Sequence, residues 1–122
     1  MEERKYDLED RPIEFAARIM DIVESLPNSR AGNYIANQMV RCGVAPSPLY
    51  GEAQSAESRD DFIHKMKIVL KELKETRVCI KLVKRKEMVN PKRLENVSKE
   101  NEELIAIIAK SIDTAKANNR SK

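Results

Sequence analysis

The sequence predicts an all-α protein, an up-and-down four-helix bundle made from a single domain of 122 residues. Three observations favour this class. Only 3 glycines and 5 prolines occur, which is few for a β protein with many tight turns. Charged residues make up 35% of the chain and aromatic residues 4%, a composition typical of helical bundles. Apolar residues also recur with helical spacing in four segments, which short connections separate.

The first helix is predicted over residues 12–26, with Asp10 as its cap and Pro12 in its first turn. Its apolar residues fill two adjacent stripes, although one stripe suffices to pack a helix against a bundle. The second stripe therefore predicts either a wide core or a contact with another subunit. The interface residues that we select from this stripe are Phe15, Ile19 and Ile22.

The second helix is predicted over residues 29–54, with Asn28 or Ser29 as its cap. Pro46 and Pro48 lie within one turn of it and remove two backbone donors. We therefore expect this helix to be kinked or broken near the two prolines and to continue beyond them.

The segment LYGEAQSAESRDDF, at residues 49–62, joins the second and third helices and has two interpretations. Its acidic and polar side chains would suit an active-site loop. However, Ser58 and Asp61 have the spacing of a capping box. Asp60 and Asp61 also lie where the helix dipole favours negative charge. We interpret the segment as a corner that starts the third helix, which is predicted over residues 59–88.

The fourth helix is predicted over residues 91–117, with Asn90 as its cap and Pro91 in its first turn. Its apolar stripe includes one polar residue, Asn101. A buried asparagine at such a position is typical of a residue that fixes the register between helices.

Basic side chains gather along one side of the third helix. At 100° per residue they lie opposite the apolar face that holds Phe62, Met66 and Leu73. Residues 62–93 contain 11 Lys and Arg against three Glu, a local net charge of +8, whereas residues 1–27 carry −4. The residues that we select as a candidate nucleic-acid site are Lys67, Lys71, Lys74, Lys81 and Arg85.

This basic band has two interpretations. It is either a solvated helix face, partly paired with Glu72, Glu75 and the acidic first helix, or a strip that binds phosphates. Lysines on a nucleic-acid backbone release counterions, which gives an affinity that depends on salt and not on sequence. A ring of subunits would repeat the strip and strengthen its field. No aromatic residues interleave with these lysines, so stacking on unpaired bases is not indicated.

A further band on the third helix contains Ile68, Cys79 and Leu82. If a single chain exposed them, these side chains would form an apolar patch that is unusual for a monomer. Together with the second stripe of the first helix, they predict self-association.

The sequence contains no pattern of an enzyme, metal or cofactor site. His64 is the single histidine, and Cys42 and Cys79 lie 37 residues apart, so the ligand spacing of a zinc site is missing. No phosphate-binding loop or dinucleotide motif occurs. Carboxylates that gather at a helix start are more often capping groups than catalytic ones. We therefore expect a non-enzymatic protein without a cofactor or a metal ion.

The cysteines and the hydropathy predict the compartment. Two cysteines in a short chain without an export signal favour a reducing environment. No segment approaches the ~18 consecutive apolar residues of a membrane span. We expect a cytoplasmic protein that does not contact a membrane.

Two segments of the chain carry a family resemblance. They read IANQMVRCG at residues 35–43 and YGEAQSAESRDDFIHKMKIVLKELKETR at residues 50–77. Both resemble the 23S rRNA intervening-sequence protein family, over about residues 6–85. That family has a Gln-hydrophobic-hydrophobic-Arg-Ser run, an Asn-x-x-Glu-Ala turn and a long K-E-L-x-E-T helix. The matching residues here are Gln38, Arg41, Glu52, Ala53, Phe62, Lys71, Glu72, Leu73, Glu75 and Thr76.

The chain departs from the family pattern at three positions. Cys42 stands where the family commonly has Ser, Leu49 where it often has Asn, and Cys79 where Trp is common. All three substitutes are compatible with a helix, so the resemblance still implies the bundle.

The resemblance implies a four-helix bundle that assembles as a ring-like homopentamer, and most members of the family have no assigned activity. A related group is the accessory variability determinant proteins of diversity-generating retroelements. The resemblance implies for that group a basic, barrel-shaped assembly that binds nucleic acid and a reverse transcriptase. The corner would then be structural: Gly51 gives the backbone room, and Glu52 anchors a neighbouring helix end or Arg41.

Three hypotheses about function remain open from the sequence. The leading one is a non-enzymatic homo-oligomer whose basic face binds RNA or DNA. The alternative is a protein–protein adaptor that uses the bundle surface without nucleic acid. The third is an enzyme with an unrecognised site.

Overall fold

The computed structural model describes the backbone of residues 2–120 and the side chains of residues 9–118. It confirms the all-α class and the four-helix bundle. The second arm of the bundle consists of two helical segments that meet at Ala45. The segments are α1 Glu2–Glu24, α2 Arg30–Val44, α3 Pro46–Gln54, α4 Arg59–Arg85 and α5 Pro91–Arg120.

The predicted start of α1 was wrong. The helix already begins at Glu2, so Asp10 does not cap it and Pro12 lies inside it. A proline inside a helix removes one backbone hydrogen bond. Next to Pro12, the Arg11 guanidinium holds Glu100 of α5 with two hydrogen bonds of 2.8 and 2.7 Å.

The start of α2 and the break after it confirm the predictions. The Ser29 hydroxyl caps α2 by accepting a hydrogen bond of 3.0 Å from the Gly32 N–H. After Ala45 the chain turns into α3, whose first turn contains both Pro46 and Pro48. Proline suits the first turn because the backbone N–H groups there have no intrahelical acceptor, so the N–H that proline lacks costs no hydrogen bond.

The start of α4 confirms the capping prediction, with one difference. The Ser58 hydroxyl accepts a hydrogen bond of 3.0 Å from the Asp61 N–H. The Asp61 carboxylate reaches back to the N–H of Glu57, at 3.4 Å, and not to that of Ser58. It also contacts the Lys65 ammonium at 3.1 Å. These contacts confirm that the segment at residues 49–62 is a helix corner.

The end of α4 lies at Arg85 and not at residue 88 as predicted. Glu87 has a φ of 52°, in the left-handed region, and ends the helix in the place where glycine is commonest. The N–H groups of Glu87 and Met88 bond to the carbonyls of Lys84 and Val83, at 3.1 and 3.0 Å. This pattern satisfies two of the last carbonyls of the helix, as in a Schellman motif.

The start of α5 confirms Asn90 as its cap, since the Asn90 side chain accepts a hydrogen bond of 3.0 Å from the Lys92 N–H. Asn101 of α5 is completely buried, and its Nδ2 donates a hydrogen bond of 3.1 Å to the Leu73 carbonyl of α4. Among the described residues its Oδ1 has no hydrogen-bond partner. Asn101 thus ties the two longest helices together inside an apolar core.

The packing order of the helices decides which faces remain exposed. α1 and α4 each pack against α2, α3 and α5. The inward face of α4 is accordingly buried, with Met66, Val69, Leu73, Ile80 and Val83 in the core, and its opposite face points to solvent. Over the residues that the structure describes, no helix has the length and apolar character to cross a membrane.

Candidate nucleic-acid interface

The structure places all five predicted nucleic-acid-binding residues on the exposed face of α4. Steps of three, four and seven residues separate them, so their side chains stay on one side of the helix. Val78 lies among them with 56% of its surface exposed. We call this group the basic face; it consists of Lys67, Lys71, Lys74, Lys81 and Arg85.

Three of these lysines share one shallow depression. Lys67, Lys71 and Lys74 line it together with Leu70 and Val78, and Glu75 closes its side. Its volume is about 450 Å³, and no aromatic side chain lines it. Three ammonium groups around a shallow, partly apolar floor form a surface that suits an extended polyanion.

The acidic residues of α4 on the α2 side of the basic face are held by an arginine. Arg41 Nη1 lies 3.0 Å from Glu72 Oε1, and Arg41 Nη2 lies 2.6 Å from Glu75 Oε2. The hydrogen bond with Glu75 raises the pKa of the Arg41 guanidinium above its usual value. Both carboxylates therefore contact α2, and Glu75 also lines the depression beside the lysines.

A second ion pair borders the basic face on the α5 side. Arg77 donates two hydrogen bonds, of 2.8 and 2.9 Å, to the carboxylate of Glu102. These bonds, with a smaller contribution from the charge of Lys81, lower the pKa of Glu102. Among the described residues no carboxylate forms an ion pair with any of the five basic-face residues. Their charges consequently remain available to a ligand.

The predicted roles of the corner residues need correction. Glu52 is exposed and, within the described part of the chain, makes no side-chain hydrogen bond or ion pair; Arg41 holds Glu72 and Glu75 in its place. Gly51 lies inside α3, and a Cβ added there would meet nothing within 4 Å. The backbone at Gly51 therefore needs no extra room, and the corner depends on helix capping.

The interface prediction was wrong about which apolar side chains lie free. Phe15 and Ile19 are 0% exposed, Ile22 is 3% and Cys79 is 8% exposed. They lie in the core of the single chain because α1 packs against α2, α3 and α5. Ile68 is half-buried and Leu82 is 44% exposed.

Of the apolar residues that do face solvent, the interface prediction included Leu82 and missed the others. On α1 they come from the other stripe, and on α2 and α4 they surround a groove between the two helices. The one signal of them in the sequence is that these helices contain more apolar residues than a single buried stripe requires. These exposed residues are Ile13, Met20, Tyr34, Val78 and Leu82.

The described residues contain no group of three or more His, Cys, Asp or Glu side chains arranged to hold a metal ion. The carboxylates nearest the basic face are paired with arginines, as described above. The basic face presents a net positive charge to solvent, since all five of its residues are exposed.

Comparison with known proteins decides the family. The 23S rRNA-intervening sequence protein family matches residues 4–110, which is most of the chain. The chain belongs to the 23S rRNA-intervening sequence protein family. The match extends beyond the region of resemblance in the sequence and includes much of α5.

A solved structure supports this assignment. A crystal structure at 1.70 Å of an S23 ribosomal protein family member from Bacteroides thetaiotaomicron superposes with a TM-score of 0.79 and 31% sequence identity. The alignment covers 85% of the present chain and 96% of that protein, which is described as having unknown function. No curated protein matches this family member.

Proposed function

We propose that this 23S rRNA-intervening sequence family protein is a non-enzymatic, homo-oligomeric bundle that binds the backbone of RNA or DNA through its basic face. One observation carries the proposal: the basic-face side chains are exposed together on one side of α4, while arginines hold the neighbouring acids. The ion pairs of Glu72 and Glu75 with Arg41 support the proposal, because they offset the acids beside the basic face without engaging its lysines.

The arrangement suits the phosphate backbone and not the bases. Ammonium groups on a helix surface act as point charges, and each contact with a phosphate releases condensed counterions. Recognition of unpaired bases relies on aromatic platforms, and none lines the depression formed by Lys67, Lys71 and Lys74. We therefore expect affinity without sequence preference.

Self-assembly is proposed from the exposed apolar residues. Tyr34, Val78 and Leu82 are 63%, 56% and 44% exposed and line the groove between α2 and α4. A ring of copies would repeat the basic face and strengthen its field. The family resemblance favours a pentamer. Light scattering tests the assembly: a mass near 14.0 kDa at micromolar concentration contradicts it.

The binding experiment compares two double variants by fluorescence anisotropy with a short RNA duplex at low salt. Lys71→Glu/Lys74→Glu reverses two charges of the basic face, and we expect at least a hundredfold loss of affinity, since each contact contributes roughly tenfold. Arg30→Glu/Lys110→Glu makes the same change in net charge at exposed positions of α2 and α5. This control is expected to bind within a few-fold of the wild-type protein.

Two outcomes contradict the proposal. One is that the wild-type protein does not bind the duplex at low salt. The other is an equal loss of affinity in both double variants, which would show a response to net charge without a defined site.

A protein–protein adaptor is the second candidate, favoured by the same exposed Tyr34, Val78 and Leu82. Tyr34→Ser/Leu82→Ser distinguishes the candidates, because it removes two apolar side chains of the groove and leaves the charge of the basic face unchanged. An adaptor that uses this groove would lose a protein partner recovered after nuclease treatment, whereas the basic face of each subunit would keep most of its affinity for the duplex.

A further inference from the structure

Two exposed apolar surfaces of the chain point away from each other. α1 and α4 lie diagonally across the bundle, because each packs against α2, α3 and α5 and, within the described residues, not against the other. α1 exposes Ile13 and Met20, and α4 exposes Val78 and Leu82. At about 100° per residue, both pairs lie opposite the buried side of their own helix. The two surfaces therefore cannot cover each other within one chain.

The surface on α1 is bordered by negative charge. Ile13 and Met20 are 56% and 46% exposed, and three exposed carboxylates lie within about 60° of them around the helix. Among the described residues these carboxylates form no ion pair. We call this surface the acidic stripe; it consists of Ile13, Ala17, Met20, Glu9, Asp10 and Glu24.

The basic residues in the described part of α1 lie on another side of the helix. Arg11 holds Glu100 of α5, and Arg18 lines a cavity together with Val97 of α5. Neither cation therefore reduces the negative charge along the acidic stripe.

The groove between α2 and α4 has a cationic border. Its exposed apolar side chains are those of Tyr34, Val78 and Leu82. Arg30 and Arg41 lie four and seven residues from Tyr34, on the same side of α2, and α2 contains no acidic residue. Glu75 also lines the groove, but Arg41 holds its carboxylate at 2.6 Å. The groove thus complements the acidic stripe in both apolar character and charge.

We propose that the acidic stripe of one copy docks into the groove between α2 and α4 of a second copy. This inference rests on the self-assembly in the proposed function and names the surface that covers the groove. Ile13 and Met20 then contact Tyr34 and Leu82, while the carboxylates of the stripe meet the cations of the border. Because the two surfaces differ and lie on opposite sides of each chain, the contact is heterologous and repeats from copy to copy.

This docking leaves most of the basic face open. Around α4, Lys74, Lys81 and Arg85 lie on the side of Val78 that is away from Leu82, and thus away from the groove. A head-to-tail assembly therefore covers the groove and still exposes these three cations to solvent.

Two double variants test the pairing by light scattering, at a concentration at which the wild-type protein is assembled. Ile13→Ser/Met20→Ser alters only the acidic stripe, and Tyr34→Ser/Leu82→Ser alters only the groove. All four side chains are exposed and the net charge stays the same, so both variants should fold, which circular dichroism checks. We expect each variant alone to assemble with a dissociation constant at least about tenfold above that of the wild type.

An equal mixture of the two variants gives the sharpest readout. The intact groove of the first variant accepts the intact stripe of the second, so we expect a heterodimer with twice the chain mass of 14.0 kDa. A groove that pairs with another groove predicts instead that Ile13→Ser/Met20→Ser assembles like the wild type.

A matched pair of charge variants tests the electrostatic part at low salt. Asp10→Lys/Glu24→Lys reverses two charges of the acidic stripe, and we expect assembly to weaken at least about tenfold. Glu95→Lys/Asp113→Lys makes the same change in net charge at exposed positions of α5. This control should assemble within a few-fold of the wild type.

Three outcomes overturn the pairing. They are wild-type assembly by Ile13→Ser/Met20→Ser, a monomeric mixture of the two serine variants, and equal effects of the two charge variants. A monomeric wild-type protein overturns the proposed self-assembly as well, whereas any of these three results with an assembled wild type overturns the pairing alone. None of the readouts involves nucleic acid, so duplex binding by the basic face succeeds or fails separately.

Discussion

Arg41 of α2 holds Glu75 of α4 at 2.6 Å, so an arginine outside the basic face offsets the charge of a carboxylate that lines the depression beside Lys71 and Lys74. The same guanidinium contacts Glu72 at 3.0 Å. The basic face therefore depends on a residue that does not belong to it. This relationship leads to the first prediction.

Arg41→Gln is expected to weaken binding of an RNA duplex at low salt, because Glu72 and Glu75 lose their partner and repel the phosphates. The loss should be roughly tenfold, similar to that of one phosphate contact. Fluorescence anisotropy measures it. Arg41→Lys keeps the positive charge and serves as the control, which should lose much less. Unchanged affinity in Arg41→Gln would show that these two acids do not influence the ligand.

Two glycine substitutions should change stability in opposite directions. A Cβ at Gly43 would lie 2.7 Å from Ile19 Cγ2 in the core, so Gly43→Ala should destabilise the protein by about 1–3 kcal/mol. Gly51 is exposed inside α3 with open space around it, so Gly51→Ala should stabilise by about 0.5–1 kcal/mol. Urea unfolding measures both free energies. Equal signs for the two would contradict the packing of α2 on α1.

Asn101 provides a prediction about the core. Its Oδ1 is buried and has no hydrogen-bond partner within the described part of the chain, and its Nδ2 bonds to the Leu73 carbonyl. Asn101→Leu should leave the free energy of unfolding within about 1 kcal/mol of wild type or raise it, since no polar atom remains unpaired. Asn101→Asp should lower it by about 3 kcal/mol or more at neutral pH, because a charge would be buried. A mild effect of the aspartate would show that water reaches this site.

The cap of α4 predicts a pH dependence. The hydrogen bond from Lys65, followed by that from the Glu57 N–H, lowers the pKa of Asp61. The stabilisation by Asp61 is therefore complete above the ordinary aspartate pKa of about 4 and disappears as the pH falls through the lower folded-state value. Urea midpoints of wild type and Asp61→Asn should differ at pH 6 and converge near pH 2. A difference that persists at pH 2 would assign the effect to the amide itself.

Local signals allowed much of the fold to be predicted from the sequence. Ser29, Ser58 and Asn90 begin their helices as expected, because capping depends on a few adjacent residues. The start of α1 was missed because Asp10 and Pro12 are local signals of a helix start, whereas the helix runs through both residues. The end of α4 was missed because a glutamate, and not a glycine, adopts the left-handed conformation there.

The candidate site was only partly predictable for a related reason. Helical periodicity places the basic-face lysines on one side of α4, but it does not show which partners their acidic neighbours choose. The Arg41 contacts with Glu72 and Glu75 decide that, and they join helices that are separate in sequence. Periodicity likewise gives the width of the apolar arc on α1. It does not reveal that three neighbouring helices bury Phe15 and Ile19.

The salt dependence of duplex binding tests the central claim most directly. The logarithm of the association constant, plotted against the logarithm of salt concentration, should fall steeply for the wild-type protein. For Lys71→Glu/Lys74→Glu the slope should be shallower by about two, one for each phosphate contact removed. If the two slopes are the same, Lys71 and Lys74 do not contact the backbone, and the basic face of α4 is not the binding site.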